Sequence, residues 1–183
     1  MKRKLALMLI LAAFASTLLF VFLDKNKYDF KLQGLDKSYS LKDFKGQNLI
    51  IYFGYMLCPD VCPTTLMSLA DVLGELEAKN SRVIFISIDP EREKIEELQE
   101  WLEYFYKPST ALLPSLSELE SVAGVYGALY ERVELPSSEL KYSMAHSSEL
   151  YVIDARGKFK GKINNLSKKN LREKLLGFLG EKL

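Results

Sequence analysis

Apolar and polar positions alternate along the chain in three distinct ways. Residues 5–23 form an unbroken run of 19 without a charged side chain. At 1.5 Å per residue this run makes a helix of about 28 Å, close to the ~30 Å hydrocarbon core of a bilayer. No polar stripe interrupts it at helical spacing, which separates it from a buried core helix of a soluble domain. Two shorter runs, 49–53 and 83–88, are apolar throughout except for Ser87 and rich in β-branched and aromatic residues. That composition predicts strands covered on both faces. Between them Leu66, Leu69, Val72, Leu73 and Leu76 recur at helical spacing, predicting a helix from Pro63 to about Lys79.

The remaining elements are read in the same way. An acidic amphipathic helix is predicted over 91–106, with Asp89 as N-cap and Pro90 at its first position. A further helix is predicted over 115–126 and a strand over 128–133. Two hairpins are expected, one around Gly34-Leu35-Asp36-Lys37 and one joining 150–153 to 159–163 through Asp154-Ala155-Arg156-Gly157. Ser167 is placed to cap a last helix carrying Leu171, Leu175, Leu176 and Leu179 on its apolar side. The order is that of a mixed α/β protein. A central parallel β-α-β unit followed by a hairpin and a helix predicts a thioredoxin-like fold, preceded by an N-terminal transmembrane helix. The expected division is an uncleaved anchor over 1–23 and one domain over 24–183.

Charge places that domain relative to the membrane. Lys2, Arg3 and Lys4 precede the apolar run, and without them the chain holds 22 basic against 24 acidic residues. Basic residues before a span favour a cytoplasmic N-terminus. The expected location is therefore the inner membrane, single-pass, with the domain facing the periplasm or an equivalent extracytoplasmic side. Ala13-Phe14-Ala15 resembles a signal-peptidase site, but the apolar run continues for eight residues beyond it. No cysteine lies nearby to carry a lipid. The whole chain has a formal net charge of only +1, with no clustered basic stretch of the kind a nucleic-acid binder shows.

Two cysteines and one histidine concentrate the candidate chemistry. Cys58-Pro59-Asp60-Val61-Cys62-Pro63 lies where a buried strand hands over to a helix. A proline after each cysteine disfavours helical backbone there, so Pro63 is expected at the first helical position and Cys62 at the N-cap. A helix N-terminus would then lower the thiol pKa and favour thiolate. Thiolates attack disulfides and bind soft metals, and a structural disulfide is a third reading in an oxidising compartment. His146 precedes the 150–153 strand, in a loop that a thioredoxin-like fold would set beside the cysteines. Two thiolates and one imidazole suit three-coordinate Cu(I), whereas structural zinc would want a fourth ligand. Asp89, ending its strand, is either an N-cap or a residue near this site.

These residues carry a resemblance to the Sco (SenC) family of membrane-anchored copper proteins. The matching segments are Phe53-Gly54-Tyr55, the cysteine motif continuing through Thr64-Thr65-Leu66, Ser87-Ile88-Asp89-Pro90-Glu91-Arg92, and His146-Ser147 ahead of Leu150-Tyr151-Val152-Ile153-Asp154. The resemblance implies Cys58, Cys62 and His146 as copper ligands, with Asp89 near the site. It also implies a role in assembling the CuA centre of cytochrome c oxidase, with the CuA subunit and a thiol reductant or another copper carrier as partners. Met56-Leu57 stands where the family commonly has Thr-His, and Ala145 where it commonly has Asp. Two other functions compete: a thiol–disulfide reductase that keeps a target's metal-site cysteines reduced, and a redox or copper sensor. Cys58 and Cys62 serve all three, but only copper binding requires His146.

Overall fold

The computed structural model describes residues 26–180. The anchor expected over 1–23 lies outside the described residues, among which no helix is long and apolar enough to cross a membrane. The chain opens with a small hairpin, β1 (Leu32–Gln33) and β2 (Ser38–Tyr39), then a turn of 3-10 helix over Leu41–Phe44. There follow β3 (Asn48–Gly54), α1 (Val61–Glu75), β4 (Ser81–Ser87), α2 (Ile95–Phe105), β5 (Ser109–Leu112) and α3 (Leu116–Tyr126). The last elements are β6 (Tyr130–Glu134), β7 (Tyr142–His146), β8 (Leu150–Ile153), β9 (Phe159–Ile163) and α4 (Lys168–Leu179).

Five strands form one sheet in the order β5-β4-β3-β8-β9. β4 runs parallel to both β3 and β5, whereas β8 runs antiparallel to β3 and β9. β3 is central, and every one of its residues is buried. Its two faces meet different partners because successive side chains point to opposite sides. Tyr52 packs against Phe85 and through it Trp101 of α2, while Phe53 packs against Tyr126 of α3 and Tyr151 of β8. α1 packs against α2 and α4. Helices on both faces explain the unbroken apolar runs of β3 and β4, and full burial of each such side chain contributes roughly 1.5–3 kcal/mol. The arrangement is thioredoxin-like, as expected.

Several boundaries differ from expectation, each for a local physical reason. α1 begins at Val61 with Asp60 as N-cap, so Cys62 lies inside the first turn rather than at its cap. Pro63 then occupies the third helical position, where its missing N–H is one the helix would leave unpaired anyway. α1 ends at Glu75 instead of near Lys79; Glu77 follows with φ of 48°, in the left-handed region. α2 begins at Ile95 with Lys94 as N-cap, not at Pro90, because Asp89 is engaged elsewhere. The strand expected over 128–133 lies at Tyr130–Glu134 and pairs with β7, which together with β5 was not foreseen. β6 and β7 form a separate hairpin outside the main sheet, ending in His146. α3 starts as expected at Ser115, whose N–H donates to Glu118 while its hydroxyl accepts from the Glu118 N–H, and it ends on Gly127 in left-handed conformation.

Candidate metal centre

Register brings the site together. Gly54 of β3 lies opposite Ser87 of β4, so the two parallel strands finish at one level. The loop from Tyr55 to Asp60 leaves β3 there, and α1 returns from it. The chain thus places Cys58 on the loop, half-buried, and Cys62 in the first helical turn with none of its surface exposed. His146, at the end of β7, completes the group. The two sulfurs and a ring nitrogen all lie within 4.8 Å of one another. The three residues singled out in the sequence converge.

The imidazole is held in one tautomer. His146 Nδ1 lies 2.9 Å from the Ser147 carbonyl oxygen, which can only accept, so Nδ1 carries the proton. Nε2 is left with its lone pair toward Cys62 Sγ, 3.5 Å away. Orienting a ligand histidine through its other nitrogen is a common device at metal sites. Burial holds the His146 pKa below its ordinary value, partly offset by the Ser147 bond, so the ring is neutral and able to ligate at neutral pH. The edges of Tyr52 and Tyr55 wall the ring, at centroid distances of 6.2 and 6.1 Å.

Cys62 departs from expectation. Burial pushes its thiol up to about 12, outweighing the hydrogen bonds with the Tyr55 backbone and the Tyr52 hydroxyl that favour thiolate, so the resting group is a neutral thiol. The Tyr52 hydroxyl donates to its sulfur at 3.7 Å. An incoming cation must therefore displace the proton, a feature shared by thiol metal sites. Asp89 is not among the clustered ligand atoms. One of its carboxylate oxygens accepts from the Tyr142 hydroxyl at 2.7 Å, and the other pairs with Arg92 at 2.5 Å. The Arg92 guanidinium also donates to the carbonyls of Leu140 and Tyr142 and lies 3.6 Å over the Tyr142 ring. Asp89 thus ties down the start of β7, the strand that delivers His146.

Gly54, Glu93 and Ser147 take part as well; Gly54 and Ser147 stand in the matching segments without an assigned role, and Glu93 did not stand out in the sequence. A Cβ on Gly54 would lie 2.9 Å from Cys62 Sγ and 2.9 Å from the Phe85 ring, so only glycine admits the sulfur this close to the strand. The signal was a glycine closing an otherwise bulky apolar run. Gly54→Ala is expected to cost about 1–3 kcal/mol, by overpacking, and to shift Cys62 away from His146. Chemical denaturation of the wild-type and variant proteins measures this cost. Glu93 is buried, and it accepts from the Met56 N–H of the cysteine loop and from the Ser87 hydroxyl, joining that loop to the end of β4. Burial pushes its carboxyl up to about 7.

The description SCO1/SenC matches residues 24–177 as one family. The chain belongs to the SCO1/SenC family. Among solved SCO1/SenC structures, Arabidopsis thaliana ScoI with copper bound is similar at a TM-score of 0.75 and 28% identity, covering 81% of this chain and 94% of that one. Bradyrhizobium japonicum ScoI with copper bound has a TM-score of 0.70 and 30% identity, covering 82% and 98%. The SCO2-like protein of Rickettsia felis is 33% identical over 119 residues, 64% of this chain. That alignment spans 58% of the relative's own length.

Proposed function

We propose that this SCO1/SenC protein is a membrane-anchored copper chaperone that takes up Cu(I) on Cys58, Cys62 and His146 and supplies it during assembly of the CuA centre of cytochrome c oxidase. The observation that carries this reading is the convergence of two sulfurs and one tautomer-fixed imidazole within 4.8 Å. Ligands about 2.0–2.3 Å from a shared ion, as in zinc sites, stand at most about 4.6 Å apart, so this set closes on an ion with a small rotamer change. Soft sulfur donors favour Cu(I), and three donors with no fourth clustered beside them among the described residues leave the site short of a structural zinc centre. The copper held by the two ScoI proteins supports the same assignment.

Two further features suit a cargo protein rather than a storage site. Cys58 is only half-buried, so one sulfur is reachable by the thiols of a partner. Leu57 and Val61, 40% and 41% exposed, flank the cysteines, and Leu129, 73% exposed, lies beside Ser147 through a backbone hydrogen bond. Apolar side chains around a site mark a surface for protein contact. The anchor over 1–23 and an extracytoplasmic domain complete the proposal, resting on the apolar run and the basic residues before it.

The reductase reading is favoured by one observation, that both cysteines are free thiols with Cys58 accessible. His146 separates the two functions. His146→Ala is expected to weaken Cu(I) binding about 10- to 100-fold, the scale of a lost interaction of roughly 1.4–2.8 kcal/mol. Competition with a chromophoric Cu(I) chelator under full reduction reads this directly. Unchanged affinity in the variant would remove the histidine from the site and favour the reductase.

A further inference from the structure

The end of the domain opposite the metal centre carries a different chemistry. β3 runs from Asn48 to Gly54, so the sheet separates the two ends by about 20 Å. At the far end Gly46 N–H donates to the Ala155 carbonyl, Ala155 N–H to the Asn48 side chain, and Asn80 to the Gly46 carbonyl. These bonds gather the loops before β3, before β4 and between β8 and β9 into one face. Lys42, Lys45, Lys79, Arg156 and Lys158 stand exposed on it. Lys27 joins them, because the Asn26 side chain donates to the Gly157 carbonyl at 2.5 Å.

No ion pair links these five lysines to a carboxylate among the described residues. The acidic groups nearby are largely committed. Asp29 accepts the N–H groups of Phe30 and Leu41, Asp154 accepts those of Arg156 and Lys158 and pairs with the exposed Arg156 guanidinium at 3.4 Å, and Asp43 pairs with Lys37. Glu77 stays exposed beside Lys79. Between the cations lies a cavity of about 630 Å³ walled by Asn26, Lys42, Lys45 and Arg156 and by the carboxylates of Asp29 and Asp154, so that three cations face two anions there, with Leu41 and Phe44 in its apolar lining.

The chain itself sets how far this face stands from a bilayer. The apolar run ends at Leu23, and only Asp24 and Lys25 separate it from Asn26. Three extended residues span at most about 10 Å, comparable to the Debye length of ~8–10 Å at ordinary ionic strength. A basic surface held at that distance is attracted to anionic headgroups. We propose that this end of the domain docks on an anionic phospholipid leaflet, headgroup phosphates being received by Lys42, Lys45 and Arg156. The inference rests on the membrane-anchor reading. Docking turns Cys58, Cys62 and His146 away from the bilayer, toward the domains of a membrane-bound partner.

The test places the full chain in nanodiscs of phosphatidylcholine alone or with about one third phosphatidylglycerol, and maps lysine acetylation by mass spectrometry. Lys42, Lys45 and Lys158 are expected to react at least about threefold more slowly in anionic discs, relative to Lys94 and Lys141 as internal references. High salt is expected to abolish the difference, and so is the K42E/K45E variant at Lys158. Equal reactivity in both discs, or protection in both that ignores salt, overturns lipid docking while leaving the anchor intact. Equal protection by inorganic phosphate in neutral discs overturns it in favour of a free-phosphate site. A chain that never enters discs overturns the anchor and the docking together.

Discussion

Cys62→Ser is expected to abolish tight Cu(I) binding, lowering affinity by at least about a thousandfold, or roughly 4 kcal/mol. The substitution replaces a soft, ionisable sulfur by a hard hydroxyl that stays protonated, leaving one sulfur and one nitrogen for the ion. Cys58→Ser removes the other sulfur and has an effect of the same size. Folding is not the cause of the loss, because the smaller hydroxyl fits beside Gly54 and Tyr52, where the sulfur now sits. Cys58→Ser is expected to unfold within about 1 kcal/mol of wild type, and the fully buried Cys62→Ser at a cost of about 1–3 kcal/mol for desolvating its hydroxyl, too little to unfold the domain. Chelator competition at several ratios measures the affinity, and thermal unfolding of the same samples checks the fold. A serine variant that still holds Cu(I) within tenfold of wild type would remove that cysteine from the ligand set.

Oxidation is expected to have an effect as large without any change of residue. A Cys58–Cys62 disulfide consumes both thiols and leaves His146 as the lone strong donor, so the oxidised protein is expected to bind no Cu(I) tightly. In the converse experiment, copper loaded first is expected to protect both thiols. Wild-type protein, loaded and unloaded, is treated with an alkylating agent and the peptides carrying residues 58 and 62 are weighed. The loaded sample is expected to keep both thiols unmodified, and the unloaded sample to react first at Cys58, which is half-buried where Cys62 is fully buried. Tight binding by the disulfide form, or full alkylation of the loaded protein, would contradict a site built on two thiolates.

The apolar pattern made most of the fold legible, and its failures have physical causes. β3 and β4 were evident because their middles, covered on both faces, are unbroken apolar runs, with polar residues only at the strand ends. β5 was missed because it is four residues long and begins with Ser109 and Thr110, polar groups buried at the sheet edge. β7 was missed because its alternation is short: Tyr142 and Met144 are buried, whereas Ala145 is exposed. Asp89-Pro90 has the form of a helix start, yet Asp89 is drawn to Arg92 and Tyr142, and the helix waits until Ile95. That tertiary demand is invisible to a local reading.

The site was legible in its ligands and hidden in its supports. Cysteine and histidine are scarce here, so composition drew attention to the three candidates, and the expected thioredoxin-like fold and the family resemblance joined His146 to the cysteines. Their surroundings could not. The hydrogen bond from His146 to Ser147, the glycine that admits the Cys62 sulfur, and the Glu93 carboxyl beneath the loop are all common residues made specific only by packing. The raised pKa of Cys62 shows the same limit in reverse. A helix N-terminus is readable from sequence, whereas complete burial of a sulfur behind Tyr52 and Phe85 is not.

X-ray absorption at the copper edge of the fully reduced, Cu(I)-loaded protein tests the central claim most directly. One ion per chain is expected, coordinated by two sulfurs and one imidazole nitrogen, with the nitrogen scattering lost in His146→Ala. A shell of sulfur alone in the wild-type protein, or one that the His146→Ala substitution leaves unchanged, would contradict the account.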